Sequence, residues 1–221
     1  MSPSTDAERA SALAALYTGA VADVLDELGL HEQCLPSDIR PLSDAMKVAG
    51  PVYPVRGRSR PADDGNDPRY KQMDMLDGIF PGAVVVIDPG DETRAAHWGE
   101  LMSHTARAQG ASGVVIAGGV RDTPEILKLG FACFRRYHSP LTAVYRFDIT
   151  DFGVPIRLGG VGVAPGDFVL GDVDGVLVIP AAVVDEVIAR AVSVRAREDS
   201  VRRALAEGGS IRALFEQHKV L

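Results

Sequence analysis

Two short segments of the sequence carry residue types whose spacing could form a binding site. The first, Gly99-Glu100-Leu101-Met102, is a glycine followed by the start of a helical pattern. The second is the pair Arg121-Asp122, which follows two glycines at the end of an apolar run. Free backbone N–H groups at a helix start can hold a carboxylate, whereas Arg and Asp supply a fixed cation and a ligand for a hard metal ion. We therefore predict a site for a small anionic substrate and a divalent cation.

The elements around these segments predict that both open onto one crevice. GAVVVIDPG (82–90), GELMSHTARAQG (99–110) and SGVVIAGGVRDTPE (112–125) indicate strand, helix and strand in that order, with a polar connection before the helix. In a parallel strand–helix–strand unit, the carboxyl ends of both strands lie at one edge of the sheet, where open α/β sheets bind ligands. We expect the helix start near Gly99 and the Arg121-Asp122 pair to meet at that edge.

Each segment also has a purely structural interpretation. The first is compatible with an ordinary helix N-terminus, with Glu100 in a favoured first-turn position. Asp122, just before Thr-Pro-Glu, is a favoured helix cap, and Arg121 could pair with a surface carboxylate for little gain in stability. The glycines 118 and 119 indicate backbone room at the strand end. Together with the glycine at the helix start, they favour the functional interpretation. His97 either lines the pocket or is structural, and the residues leave both open.

Composition and charge narrow the class of protein. The chain has 221 residues, of which 46% are hydrophobic and 24% are charged. This length and composition predict that residues 1–221 form a single globular domain with its own core. The net charge of −7 argues against nucleic-acid binding, which needs clustered Lys and Arg. We find no secretory signal and no apolar run long enough for a membrane span, so we expect a cytoplasmic protein without a membrane partner. Cys34 and Cys133 match no zinc or redox spacing and are expected to be buried free thiols.

The remaining sequence predicts further helices and strands. Residues 6–28 have helical spacing, and Gly19 is expected to split them into two helices. VAGPVYPVRG (48–57) is typical of a strand, and the polar segment 58–71 is predicted to be a mobile loop. Its arginines could touch an anionic substrate, although a solvated loop is favoured. Several short strands are expected between 154 and 180.

A helix is predicted to open at Thr123, with Thr123 as a possible cap and Pro124 at its first position. Gly130 is expected to end it. A long amphipathic helix should follow from about Ala181 to Leu205, with an apolar side formed by Val184, Val187, Ile188, Ala191 and Val192. A last short helix is expected after Ser210.

The segment GELMSHTARAQGASGVVIAGGVRD (99–122) resembles the signature of the RraA-like family, whose enzyme branch comprises class II 4-hydroxy-4-methyl-2-oxoglutarate (4-carboxy-4-hydroxy-2-oxoadipate) aldolases. The resemblance extends through TGAVADVLDELG, VAGPVYPV, VAPGDFVLGDVDGVLVIP and EGGSIRALFEQHKVL, and leaves out the first few residues and 58–70. It implies a compact α/β/β/α sandwich that assembles into trimers or hexamers. The C-terminal helices, 181–221, would pack on this domain or on a neighbouring subunit.

The resemblance also implies roles for individual residues. Backbone groups of Gly99 to Met102 would bind the carboxylate of a pyruvate-like substrate, Arg121 would bind its keto oxygen, and Asp122 would anchor Mg²⁺ or Mn²⁺. A glutamate on the C-terminal helix of a neighbouring subunit serves the family's site. Glu198 is the nearest match, with Asp199 beside it. The implied activity is metal-dependent retro-aldol cleavage of a 4-hydroxy-2-oxo acid to pyruvate, with oxaloacetate decarboxylation as a companion reaction.

Other functions are known within the same family. One branch contains a regulator that binds and inhibits ribonuclease E, and that branch lacks the acid after the arginine, which Asp122 supplies here. Some relatives carry the label of a methyltransferase, but such an enzyme needs a glycine-rich loop directly after its first strand, and the sequence has none. A related lyase acting on a different 2-oxo acid is compatible with the same residues.

Overall fold

The computed structural model describes residues 5–61 and 65–218. Its helices are α1 (Asp6–Ala14), α2 (Thr18–Glu27), α3 (Pro68–Asp77), α4 (Glu100–Ala108), α5 (Thr123–Leu129), α6 (Val184–Ala206) and α7 (Ile211–His218). Its strands are β1 (Arg40–Pro41), β2 (Val48–Ser59), β3 (Val84–Asp88), β4 (Ala96–Trp98), β5 (Gly113–Ile116), β6 (Gly119–Val120), β7 (Ala132–Arg135), β8 (Tyr137–His138), β9 (Phe147–Phe152), β10 (Ile156–Leu158), β11 (Val161–Val163), β12 (Phe168–Gly171) and β13 (Val176–Ile179). In this part of the chain, no helix is both long and apolar enough to cross a membrane. Both cysteines are free thiols and Cys133 is buried, but Cys34 is exposed, so the prediction that both are buried is wrong.

The main sheet has the strand order β1-β7-β5-β3-β2-β12-β13, and β9 pairs with the far end of β2. Strands β2, β3, β5 and β7 run parallel to one another, and the strands at either side are antiparallel to them. Strands β3 and β5 are short runs of mostly buried valine and isoleucine, the composition expected for strands covered on both faces. The predicted parallel pairing of strands 84–88 and 113–116 is confirmed.

Alternate residues of each strand point into different cores. In β3, Val85 and Ile87 pack with residues of α3, α4 and α5, whereas Val84 and Val86 belong to an interior core that also contains Val169 of β12. The neighbouring Leu170 of β12 faces a third core, formed with α1, α2 and α6. The two halves of the curled sheet therefore face each other, with helices outside both. This arrangement confirms the expected α/β/β/α sandwich.

A second, three-stranded parallel sheet, β4-β6-β8, lies off the main sheet and was not expected from the sequence. Its strands have only two or three residues each, too few for a periodic pattern to show. The polar connection predicted between β3 and α4 therefore contains a strand. The chain also leaves the main sheet after β5, before it reaches Arg121.

The break between α1 and α2 falls at residues 15–17, so the prediction that Gly19 divides them is wrong. Gly19 lies inside the first turn of α2. The start of α2 is fixed by a distant residue, because the Asp172 carboxylate accepts hydrogen bonds from Thr18 N at 2.9 Å and Thr18 Oγ1 at 2.7 Å. Local sequence does not reveal this long-range cap.

The prediction of a loop over residues 58–71 is wrong at both ends, because a strand extends into its start and a helix begins before its end. Residues 62–64 of this segment lie outside the described part of the chain. Strand β2 continues to Ser59 because β9, a strand that the sequence did not indicate, pairs with it. Helix α3 begins at Pro68, and Asp67 caps it by accepting from Arg69 N at 3.0 Å. The Asp-Pro pair is a recognised helix-start signal that the polar composition of the segment obscured.

Four residues of the predicted apolar side of α6, Val184, Val187, Ile188 and Ala191, are buried, and they pack on α1 and α2. Val192, however, is 51% exposed, while residues 194 and 201 are buried instead. The apolar stripe therefore turns around the helix toward its C-terminal half. Whether the C-terminal helices also pack on a neighbouring subunit stays a prediction.

Candidate active site

The structure brings the two predicted site segments together, but at the ends of different strands from those expected. Gly99 follows β4 directly and Arg121 follows β6, and these two strands pair in parallel. Trp98 O accepts a hydrogen bond from Arg121 N at 3.1 Å, which joins the two strand ends. The rule that parallel strands end at one edge therefore applies, although to the small sheet and not to β3 and β5.

A cleft of about 370 Å³ opens at this edge. It is lined by residues 96–102, by Arg121 and Asp122, by Arg69 and Gln72 of α3, and by residues 142–144. The contribution of α3 was missed because its segment was predicted to be a loop. All four residues of the Gly99–Met102 segment lie in the lining.

A larger cavity of about 590 Å³ adjoins the cleft beyond Arg69 and Val144. The two arginines that line this cavity are each paired with an aspartate. Arg60 Nη1 lies 2.9 Å from Asp148 Oδ1, and Arg69 Nη2 lies 2.6 Å from Asp67 Oδ2. The smaller cleft is the better candidate because it combines backbone donors with the Arg121-Asp122 pair.

Asp122 has an uncommon backbone conformation, with φ 58° and ψ 31°. Among the described residues, it alone has positive φ without being glycine; aspartate tolerates this left-handed region better than most residues. It occupies the cap position of α5 but makes no side-chain capping bond to that helix. Its Oδ2 instead lies 3.4 Å from Glu100 N and 3.4 Å from Arg121 Nε. The side chain thus serves the start of α4, and the predicted cap at Thr123 is also wrong.

Gly99 is required at the helix start by space and not by conformation. Its φ of −153° and ψ of −173° are extended values that any residue adopts. A β-carbon at this position, however, would lie 2.8 Å from Asp122 Oδ2 and 3.4 Å from Arg121 Cγ. The glycine therefore lets the Arg-Asp pair approach the first turn of α4.

The first turn of α4 presents backbone donors to the cleft. The N–H groups of Leu101 and Met102 have no intrahelical acceptor at this position, and the helix dipole adds positive potential there. Ser103 stabilises the turn, because its Oγ accepts from Trp98 Nε1 at 2.8 Å and lies 3.1 Å from Gly99 O. A small carboxylate is the natural ligand of this arrangement.

His97 lies in the wall behind the cleft, and its side chain is fully buried. Its Nδ1 accepts a hydrogen bond from Gly119 N at 3.1 Å. Its Nε2 lies 3.1 Å from Glu92 Oε2, off the direction needed for a regular hydrogen bond. Burial lowers the pKa of His97 to about 4, against the opposing effect of Glu92. The ring is therefore neutral near pH 7. No sequence pattern had indicated Glu92.

Glu198 does not reach the cleft of its own chain. It lies on α6, where its carboxylate accepts from Tyr17 Oη and, at 2.8 Å, from Arg202 Nη2. Asp199 is also paired with Arg202. Since one of these two acids, Glu198 or Asp199, was expected to act in the site of a neighbouring subunit, that role stays a prediction.

The cleft offers few ligands for a metal ion. In the described ranges, no group of three His, Cys, Asp or Glu side chains could hold one. Asp122, with 42% of its side chain exposed, presents a carboxylate to the cleft. Magnesium commonly binds through one or two protein carboxylates and completes its shell with water and substrate oxygens. The donor set therefore fits a hard cation that is held by Asp122 and completes its shell with water.

Comparison with known proteins finds both similar sequences and similar solved structures. A protein of Halalkalibacterium halodurans, provisionally named 4-hydroxy-4-methyl-2-oxoglutarate aldolase, is 34% identical over 205 residues, 90% of each chain. Protein DlpA of Legionella pneumophila is 28% identical over 198 residues, and the chain spans about a third (32%) of its length. A solved structure described as novel cellulases from microbes of the gut ecosystem superimposes with a TM-score of 0.84 at 36% identity, covering 90% of this chain and 88% of the other.

The family model for Aldolase/RraA proteins matches residues 18–178. This range contains both strands of the site, the helix start at Gly99 and the Arg121-Asp122 pair. Because the match covers well over half of the chain, and the sandwich architecture agrees with it, the chain belongs to the RraA-like family.

Proposed function

We propose that this protein is a divalent-metal-dependent lyase that cleaves a 4-hydroxy-2-oxo acid to pyruvate by a retro-aldol reaction, with oxaloacetate decarboxylation as a side activity. The observation that carries the proposal is the conformation of Asp122. This residue takes up a left-handed backbone and turns its carboxylate away from its own helix, toward the start of α4 and Arg121. Strained residues of this kind gather at functional sites. The provisional aldolase name of the Halalkalibacterium relative agrees with this chemistry.

Substrate binding begins at the first turn of α4. The backbone N–H groups of Leu101 and Met102 would receive the 1-carboxylate of the oxo acid, where the helix dipole favours negative charge. This places the 2-oxo group toward Arg121, on the side where Gly99 leaves room. Orientation by fixed backbone donors costs little reorganisation during the reaction.

Arg121 would stabilise the charge that develops during bond cleavage. When the C3–C4 bond breaks, the 4-hydroxyl group loses its proton to solvent water and C4 becomes a carbonyl carbon. The electron pair of the broken bond remains on the pyruvate fragment as an enolate, and negative charge collects on the former keto oxygen until C3 takes up a proton from water and pyruvate forms. The Arg121 guanidinium, about half exposed and beside Asp122, is placed to donate hydrogen bonds to that oxygen. Loss of CO₂ from oxaloacetate leaves the same enolate, which explains the expected side activity.

The Asp122 carboxylate would hold Mg²⁺ or Mn²⁺, and Glu100 N–H, 3.4 Å from Asp122 Oδ2, would orient that carboxylate. Such an ion, when bound, supplies Lewis-acid stabilisation of the charge on the 2-oxo group. We further propose a trimer or hexamer in which Glu198 or Asp199 of a neighbouring subunit supports this region. The densely charged segment after residue 194 suits an interface with a polar site.

Two other functions receive less support. Glycoside hydrolysis, suggested by the description of the gut-ecosystem structure, uses two carboxyl groups on opposite sides of a sugar bond. The present cleft instead pairs one carboxylate with an arginine over a helix start, which is an arrangement for an anion. Regulation of ribonuclease E does not require an acidic residue at position 122. That function would therefore leave the left-handed conformation of Asp122 without an explanation.

The decisive test is Asp122→Asn, assayed by coupling pyruvate formation to lactate dehydrogenase over a panel of 4-hydroxy-2-oxo acids and oxaloacetate. Asparagine also tolerates the left-handed region, so the variant should fold normally and lose turnover. Asp23→Asn, at an exposed position of α2, is the matched control and should keep full activity. EDTA should abolish wild-type turnover, and Mg²⁺ or Mn²⁺ should restore it. Unchanged activity of Asp122→Asn or in EDTA would overturn the proposal.

A further inference from the structure

The buried residues His97 and Glu92 form a polar pair in the wall behind the cleft. Their side chains are 0% and 2% exposed. Burying such groups is costly unless their hydrogen bonds hold something in place. The contacts of the pair indicate what they hold.

His97 lies at an irregularity in the pairing of β4 with β6. Ala96 is opposite Gly119 and Trp98 is opposite Val120, so one extra residue, His97, is accommodated on β4. A bulge of this kind interrupts the backbone ladder and redirects the strand, and bulges are frequent beside active sites. Here the imidazole Nδ1 accepts the hydrogen bond from Gly119 N at 3.1 Å. A side chain therefore supplies a bond across the two strands at the point where their register shifts.

Neighbouring residues hold the imidazole in this position. A β-carbon on Gly118 would overlap Nδ1 of His97, so only glycine leaves room for the ring. Phe147 packs edge-on against the ring at a centroid distance of 4.7 Å. On the other side, the Glu92 carboxylate accepts from Arg94 N at 3.0 Å and Ala95 N at 2.8 Å, which closes the turn that leads into β4.

The register of β4 on β6 decides where the two halves of the site meet. Beyond His97, Trp98 O pairs with Arg121 N, and the next residue, Gly99, faces the Asp122 carboxylate. One residue of slip along a strand is a shift of about 3.3 Å. A shift of that size would remove the close approach between Gly99 and Asp122.

We propose that His97 is a positioning residue: through Gly119 N–H it sets the register of β4 on β6, and thereby holds the start of α4 against Asp122. Glu92 supports it by fixing the turn before the strand. The consequence for catalysis rests on the proposed lyase function, whereas the register itself does not.

The test compares three variants of the full-length protein. Asn carries its amide oxygen at the position of Nδ1, so His97→Asn should keep the acceptor for Gly119 N–H. His97→Leu removes the acceptor, and His97→Gln places its polar group beyond that position. His31→Asn, at an exposed histidine, is the control. We expect His97→Leu to lower kcat for oxaloacetate by at least about 10-fold, and His97→Asn to stay within about threefold of the wild type.

A second measurement is independent of turnover. Hydrogen–deuterium exchange of peptides that contain Gly119 should be faster in His97→Leu and His97→Gln than in the wild type, and His97→Asn should restore protection. If the wild type shows no lyase activity, the proposed function fails while this measurement still decides the register. Wild-type exchange in His97→Leu, or equal losses in His97→Asn and His97→Leu, would overturn the inference. If His97→Leu does not fold, the comparison of Asn with Gln carries the same decision.

Discussion

Replacing Gly99 with alanine should disable the site without unfolding the protein. The new methyl group would lie 2.8 Å from Asp122 Oδ2, and ordinary contact begins at 3.4 Å. The carboxylate would therefore have to move by about 0.6 Å. Displacements near 1 Å can cost about 100-fold in rate, so we expect kcat to fall between roughly 10-fold and 100-fold.

The stability cost of Gly99→Ala should be small, because the extended backbone at this position is accessible to alanine. We expect the free energy of unfolding to fall by less than about 1 kcal/mol. For a chain of this size, that corresponds to a decrease in Tm of at most about 4 °C. The Mg²⁺ concentration for half-maximal activity should rise as well, since the displaced group is the proposed ligand.

The matched control is Gly162→Ala in β11, where an added β-carbon meets nothing within 4 Å. Pyruvate formation from oxaloacetate, calorimetric Tm and a Mg²⁺ titration should be measured for both variants. Wild-type kcat and Mg²⁺ dependence in Gly99→Ala would refute the argument that the Gly99–Asp122 approach matters. Loss of cooperative unfolding in that variant would show that the glycine serves the fold.

Three further outcomes are expected. Arg121→Lys keeps the charge but loses the planar guanidinium, so kcat/KM for oxaloacetate should fall at least about 10-fold, and near-normal kinetics would contradict the assigned role. A mixture of inactive Asp122→Asn and Glu198→Gln subunits should regain activity if the acid acts across an interface, and light scattering should show a trimer or hexamer; a fully active monomer would exclude this. Between pH 6.5 and about 4 the unfolded chain binds a proton at His97 that the folded chain does not, so stability should fall on acidification. His97→Asn should lack that part of the loss, on the order of 3 kcal/mol, in denaturant titrations at both pH values.

The sequence alone was sufficient for the elements with strong local signals. The parallel strands β3 and β5 are continuous runs of buried aliphatic residues, and α4 begins at the glycine where its pattern starts. The Gly99 and Arg121-Asp122 segments were selected from residue types, and the structure brings them within 3.4 Å of each other. These features depend on periodicity and on helix-end chemistry, both of which are local.

Two kinds of feature could not be predicted from local sequence: very short strands, and elements that depend on contacts with distant residues. Strands β4, β6 and β8 have too few residues for an alternating pattern, and β9 forms because β2 is available as a partner. The start of α2 depends on Asp172, which is 154 positions away in the chain. Similarly, Glu198 contacts Tyr17 because α6 packs on α2.

The tertiary structure also decided which interpretation of individual residues holds. Asp122 has the sequence context of a helix cap, but its left-handed backbone directs the carboxylate to another helix. His97 could have lined the pocket or had a structural or solvent role, and the shifted register of β4 made its ring an acceptor for Gly119 N–H. Residue type determines which chemistry a side chain can perform. Its direction depends on backbone dihedrals and strand register, which are set by the packing of segments that are distant in the sequence.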